Sequence, residues 1–134
     1  MDKQAIEEGN VFCPKFNTDG LIMAVCQEAG SGDVLMCAFM NEEALRETIS
    51  TGRATFYSRS RKKLWRKGEQ SGHFQKVEQI LTDCDQDCIL LKVSVDEGQC
   101  HVGYKSCFYR EVTGPESLNT IAEKVYDPNE AYGK

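Results

Sequence analysis

The chain has 134 residues, a net charge of −5 and a sequence pI of about 5.1, with 40% hydrophobic and 28% charged residues. That length suits one domain that buries a core without disulfides, and the composition is ordinary for a globular protein. The acidic balance excludes a general nucleic-acid binder. The polar start and the lack of a long apolar run exclude a secretory signal and a membrane span, so a cytoplasmic location is expected.

In chain order, Gly20–Gln27 and Asp33–Met40 read as apolar strands. The Gly/Ser turn between them, Ala29-Gly30-Ser31-Gly32, marks a hairpin. Asn41 offers an N-cap, Glu42 and Glu43 suit the first helical turn, and Gly52 stops the helix. Arg53–Ser58, Lys76–Thr82 and Ile89–Val95 read as further strands, with a turn at Asp96-Glu97-Gly98. Segments around Cys100–Tyr104 and Cys107–Val112 look extended. A C-terminal helix is expected over about 115–126, opened by Thr113, Gly114 and Pro115, with Leu118, Ile121, Ala122 and Val125 at helical spacing. The expected fold is α+β: a single compact domain over 1–134, mostly antiparallel strands with two or three helices.

Seven cysteines in a chain expected in a reducing compartment point to metal or catalysis rather than to a disulfide framework. Cys26 and Cys37 sit in apolar stretches and are expected to pack as small hydrophobes. Cys13 has no evident partner, and Cys88 reads as core or reserve ligand. Cys84, Cys100 and Cys107 lie among Asp, His, Gly and Ser, which is site-like company. Asp83-Cys84-Asp85-Gln86-Asp87 alternates hard carboxylates, suited to Mg²⁺, Ca²⁺ or Mn²⁺, with a soft thiol suited to Zn²⁺. If this stretch is extended, the three aspartates face one way and Cys84 the other. A calcium loop of the EF-hand type is excluded, because Cys88 and Ser94 stand where it needs Gly and Glu. Three thiols leave a fourth zinc position for water, His101 or substrate.

The second concentration of chemistry is basic. Arg59, Arg61, Lys62, Lys63, Arg66 and Lys67 crowd one segment of an acidic chain, beside Ser58, Ser60, Gly68, Ser71 and Gly72. Such a patch can hold a phosphorylated small molecule or be a solvated loop. Trp65, the only tryptophan, either stacks on a planar base or pins the loop to the core. The chain has two histidines, His73 and His101. Adjacency to Cys100 makes His101 the better candidate proton carrier.

Three stretches together resemble phosphoribosyl-AMP cyclohydrolases. They are Met36–Leu45; Thr51-Gly-Arg-Ala with Ser58-Arg-Ser-Arg, Leu64-Trp-Arg-Lys-Gly-Glu, Ser71-Gly-His and Gln75; and Asp83–Asp87 with Cys100-His-Val-Gly and Ser106–Arg110. With their flanks they span about 16–112. The resemblance implies a hydrolase of histidine biosynthesis that opens the adenine ring of 1-(5-phosphoribosyl)-AMP between N1 and C6. It implies Mg²⁺ on Asp83, Asp85 and Asp87, and Zn²⁺ on Cys84, Cys100 and Cys107. It also implies a homodimer whose zinc site draws on both chains. Residues beyond Val112 are too few for the pyrophosphohydrolase domain that some relatives carry, so a monofunctional chain is expected. Arg59, Arg61, Trp65, Arg66, Lys67 and Ser71 are the expected substrate-binding set, and His101 and His73 the catalytic candidates. No nucleic acid or membrane partner is expected. A zinc deaminase is disfavoured because its His-x-Glu and Pro-Cys-x-x-Cys signatures are absent. An RNA-binding zinc module is disfavoured by the chain's acidity.

Overall fold

Alternating burial along one strand defines the centre of the molecule. In β1 (Ile22–Glu28), Ile22, Ala24 and Cys26 are buried while Met23 and Val25 are half-buried, the period-2 signature of a strand with one core face. The computed structural model of the chain describes residues 2–69, 72–95 and 98–132. Its elements are α1 (Lys3–Glu8), β1, β2 (Val34–Met40), α2 (Glu42–Thr51), β3 (Thr55–Ser58), β4 (Lys63–Arg66), β5 (Lys76–Thr82), β6 (Cys88–Ser94), β7 (Arg110–Gly114), β8 (Ser117–Thr120) and α3 (Pro128–Tyr132).

β1 lies inside a four-stranded sheet of order β2-β1-β6-β5. It pairs antiparallel with β2 and parallel with β6, while β5 closes the far edge antiparallel to β6. Separate hairpins join β3 to β4 and β7 to β8. This is a single compact α+β domain with mixed strand pairing. The core gathers Ile22, Ala24 and Cys26 of β1, Ile89, Leu91 and Val93 of β6, Met36 and Met40 of β2, Ala44 and Leu45 of α2, and Phe56 of β3. The other face of the sheet is apolar too. Met23 is level with Phe39 and Cys88, and Val25 with Cys37 and Leu90, yet none of these six is fully buried.

The α2 helix follows its sequence signals. The Asn41 side chain accepts from the Ala44 amide at 2.8 Å, and Gly52 ends the helix in the left-handed region at φ 73°. Thr48 couples it to β3. Its buried hydroxyl donates to the carbonyls of Ala44 and Thr55 and accepts from the Thr55 amide at 3.0 Å.

Four expectations need correction. Residues 115–126 are not a helix: β7 and β8 form a hairpin turning at Pro115 and Glu116, with α3 only at 128–132. Pro115 fixes its own φ, and Gly114 before it favours a tight turn over a helix start. Leu118, Ile121 and Val125 therefore do not pack as a helical face and are 54%, 60% and 56% exposed. Cys100–Tyr104 is a closed turn, not an extended segment, because Gly103 at φ 110° lets its amide reach the Cys100 carbonyl at 3.0 Å. Asp83–Asp87 is likewise the turn of the β5–β6 hairpin, closed by the Gln86 amide on the Asp83 carbonyl at 3.0 Å with Gln86 at φ 58°. Cys37 is exposed, not core, because its register partner Val25 lies on the outer face of the sheet.

Thr48→Val keeps the shape at the α2–β3 junction but strands the Thr55 amide without its acceptor. We expect it to lower unfolding free energy by about 1–3 kcal/mol in urea denaturation. An unchanged midpoint would show that Thr48 is dispensable there.

Candidate functional site

Cys107 is set by the edge of the sheet. Its amide donates to the Leu35 carbonyl at 2.7 Å, and the neighbouring Ser106 hydroxyl donates to Val34 at 2.7 Å. Lys105 reinforces the attachment through Glu28 at 2.6 Å and Asp33 at 2.8 Å. The segment then turns back so that Cys100 is buried beside Cys107. Cys107 is exposed as a residue, yet burial of its thiol pushes the pKa up to about 11, with the Cys100 thiol adding to the rise and Lys67 opposing it. Side chains remote in sequence hold Cys100. Lys67 Nζ donates to the Gln99 carbonyl at 2.6 Å, Gln75 Nε2 donates to Gln99 Oε1 at 2.9 Å, and the Tyr126 hydroxyl donates to the Cys100 carbonyl. The edge of the Tyr126 ring meets His73, with ring centroids 4.5 Å apart. Gly103 is required under Tyr126, since a Cβ there would stand 2.7 Å from the Tyr126 carbonyl oxygen.

The carboxylates lie at the other end of the sheet. Asp83 Oδ1 accepts from the amides of Asp87 and Cys88 at 3.0 and 3.1 Å, stapling the hairpin turn. Partial burial works to raise the Asp83 carboxyl. Hydrogen bonds from the Asp87 side chain and these amides outweigh it and hold Asp83 below the usual carboxylate range. The same shared hydrogen bond pushes Asp87 above that range. The two carboxylates therefore sit close enough to feel each other's charge, a repulsion that a divalent cation would relieve. Asp85 is not with them. It sits at the tip of the turn, where the Cys84 thiol points at its Oδ1 from 3.9 Å. The back-to-back arrangement expected of an extended strand therefore does not exist.

Among the described residues, no three His, Cys, Asp or Glu side chains converge as a metal-holding group. For the thiols the reason is distance. Cys107 is fastened to Leu35, just beyond the level of Cys26 and Leu91, whereas Cys84 precedes Cys88 at the opposite end of β6. From Cys88 to Leu91 the rise is roughly 10 Å, and β2 is two strand spacings, roughly another 10 Å, from β6. A zinc–sulfur bond is about 2.3 Å. Cys84 of one chain therefore does not meet its own Cys100 and Cys107.

The basic run divides. Arg59 lies over the Phe39 ring at 4.5 Å and lines an open cleft of about 770 Å³ with Met23, Cys37 and Tyr57. Arg61 is exposed at the β3–β4 turn. Arg66 is drawn back towards Glu47 at 3.7 Å. Lys67 is buried. Trp65 packs on Phe56 at 4.9 Å and pins the hairpin to the core. Ser71 lies outside the described residues. Of the histidines, His73 is buried and His101 is exposed.

Several residues here had no sequence signal. Gln99 and Tyr126 act through contacts across the fold. Gln86 is buried inside an acidic turn, where its side chain accepts from the Cys13 amide at 2.7 Å and donates to the carbonyls of Ile6 and Val11. Its carbonyl accepts from the Lys15 amide at 2.7 Å, which leaves Lys15 beside Asp87 on a cleft of about 280 Å³.

With this geometry in hand, comparison with known proteins is decisive. Residues 36–109 match the family model described as phosphoribosyl-AMP cyclohydrolase. The chain belongs to that family. It is 55% identical to the phosphoribosyl-AMP cyclohydrolase of Methanococcoides burtonii over 88% of this chain and 94% of that one. It is 53% identical to that of Rhodopseudomonas palustris strain TIE-1 over 96% of this chain and 89% of the relative. The enzyme of Methanothermobacter thermautotrophicus is 52% identical over 91% of this chain and 89% of its own. The matched span contains the Asp83–Asp87 turn, Cys100 and Cys107, while the arm that Gln86 holds precedes it.

Gln86→Ala removes three hydrogen bonds to the N-terminal segment. We expect faster amide hydrogen exchange at Cys13, with the β1 core amides unchanged. Equal protection in the variant would show that other contacts hold the arm.

Proposed function

We propose that this chain hydrolyses the N1–C6 bond of 1-(5-phosphoribosyl)-AMP in histidine biosynthesis, as a homodimer with zinc and magnesium. Family membership supports the substrate. The observation that carries the rest is the placement of the thiols: Cys100 and Cys107 side by side at one end of the sheet, Cys84 at the other. Two soft donors that adjoin in one chain fit zinc, and a second copy is the natural source of the third. The half-buried outer sheet face, with Met23, Val25, Phe39 and Leu90, gives that copy an apolar surface to cover. Asp83 and Asp87, adjoining carboxylates, are a donor set suited to magnesium once Asp85 joins them.

When bound, zinc supplies the Lewis acidity that makes water a nucleophile near neutral pH. The protein's own groups do the remainder. Arg59 at the rim of the larger cleft and Arg61 on the adjoining β3–β4 turn, with no carboxylate paired to either among the described residues, hold phosphate. Phe39 and Tyr57 wall that cleft and give the purine an apolar surface. His101, exposed beside Cys100, moves the proton needed at the ring nitrogen. His73, buried against Tyr126, holds the floor beneath Cys100.

Turnover of synthetic substrate should be lost on zinc chelation and return with zinc; full turnover by zinc-free protein would refute the reading. Mixing Cys84→Ser chains with Cys107→Ser chains should restore partial activity, because mixed dimers keep one of two sites. No restoration would place each site within one chain. Arg59→Glu should raise KM at least about tenfold with the protein still folded, in keeping with loss of a charge-assisted phosphate contact. An unchanged KM would remove Arg59 from the phosphate site.

A further inference from the structure

Lys67 does not behave as an arm for phosphate. It is 8% exposed, and its ammonium is turned inward to the Gln99 carbonyl at 2.6 Å. No carboxylate among the described residues lies within ion-pair distance of it. A buried ammonium satisfied only by a neutral carbonyl is costly, because desolvation of the charge is not offset by an opposite one. The fold nevertheless takes trouble to hold it there. The Lys67 amide is bonded to Ala54 at 2.9 Å. Gly68 follows at φ 97°, so close to Phe74 that a Cβ would stand 2.6 Å from its amide nitrogen.

Two thiols, Cys26 and Cys107, lie within electrostatic reach of the charge. Cys26 is fully buried in the core, where it stays a neutral thiol. Cys107 lies beside Cys100, the residue after the carbonyl that Lys67 holds. Were a metal ion to deprotonate Cys100 and Cys107, the anion that the buried ammonium lacks would be to hand as thiolate. Charge counting agrees: three thiolates on one divalent ion leave a single excess negative charge, and Lys67 brings a single positive one.

We propose that Lys67 is the positioning and charge-neutralising residue of the thiolate centre rather than a substrate ligand. This rests on the zinc reading above. Through the Gln99 carbonyl it fixes the backbone that carries Cys100, and its charge offsets the excess that metal-bound thiolates bring into a buried place.

The test compares wild type, Lys67→Met, Lys67→Gln and Lys67→Arg as full-length chains. Zinc per chain is measured by atomic emission after dialysis against a graded series of a chromogenic zinc chelator, with circular dichroism to check folding. Lys67→Met should lose zinc at chelator concentrations at least about tenfold lower than wild type, as expected for an outer partner of a metal ligand. Lys67→Arg should stay close to wild type. Lys67→Gln keeps a donor for the Gln99 carbonyl without the charge and should lose zinc as well, so it carries the test if Lys67→Met does not fold. Among variants reloaded with zinc, kcat should fall while KM stays put. Neutral variants that hold zinc as tightly as wild type, or that raise KM alone, overturn this inference and return Lys67 to the phosphate site. A wild-type protein that takes up no zinc overturns the zinc reading itself, and this inference with it.

Discussion

The parallel pairing of β1 with β6 is the constraint on which the remainder hangs. It puts the start of β1 level with the start of β6, so the Asp83–Asp87 turn comes to the end of the sheet where Met23 and Phe39 lie. The antiparallel pairing of β1 with β2 then puts Leu35, and with it Cys107, at the opposite end. A parallel pair cannot be joined by a tight turn, and the crossover between them carries α2 and the β3–β4 hairpin. Lys67, which follows β4, thereby arrives against the Gln99–Cys100 segment. One register decision separates the carboxylate end from the thiol end and delivers a cation to the latter.

Hydrogen bonds of high sequence separation do the local work at both ends. Gln86 ties the Asp83–Asp87 turn to a segment more than 70 residues earlier. Lys67, Gln75 and Tyr126 converge on two consecutive residues, Gln99 and Cys100. These contacts pair polar groups in buried or half-buried places, where a group left unpaired costs more than an ordinary hydrogen bond contributes. The side chains at these points are therefore selected by the fold as much as by chemistry.

What the sequence disclosed follows the same division. β1, β2, α2, β5 and β6 were legible because burial alternates or a cap and stop are local to them, as with Asn41 and Gly52. The long ordered motifs made the family legible. β4 hid inside the basic run, since its charge masks a strand that Trp65 anchors through Phe56. α1, six residues with none buried, has no apolar face to betray it. The helix expected near the C-terminus failed because Pro115, read as its opener, sits in the β7–β8 turn instead, and apolar spacing alone does not ask what the apolar residues would pack against. The divided basic run was illegible for a deeper reason: whether Arg66 and Lys67 reach outward or inward depends on Glu47 and Gln99, which only the tertiary fold brings near.

Asp83 closes the account differently from the other acids. One of its oxygens is committed to the Asp87 and Cys88 amides that shape the hairpin tip. Asparagine offers the same oxygen in the same place without the charge. A single drift from acid to amide at this position would leave a well-made hairpin with one negative charge fewer at its tip. The shape of the hairpin and the charge at its tip are thus written into one side chain yet can be inherited apart.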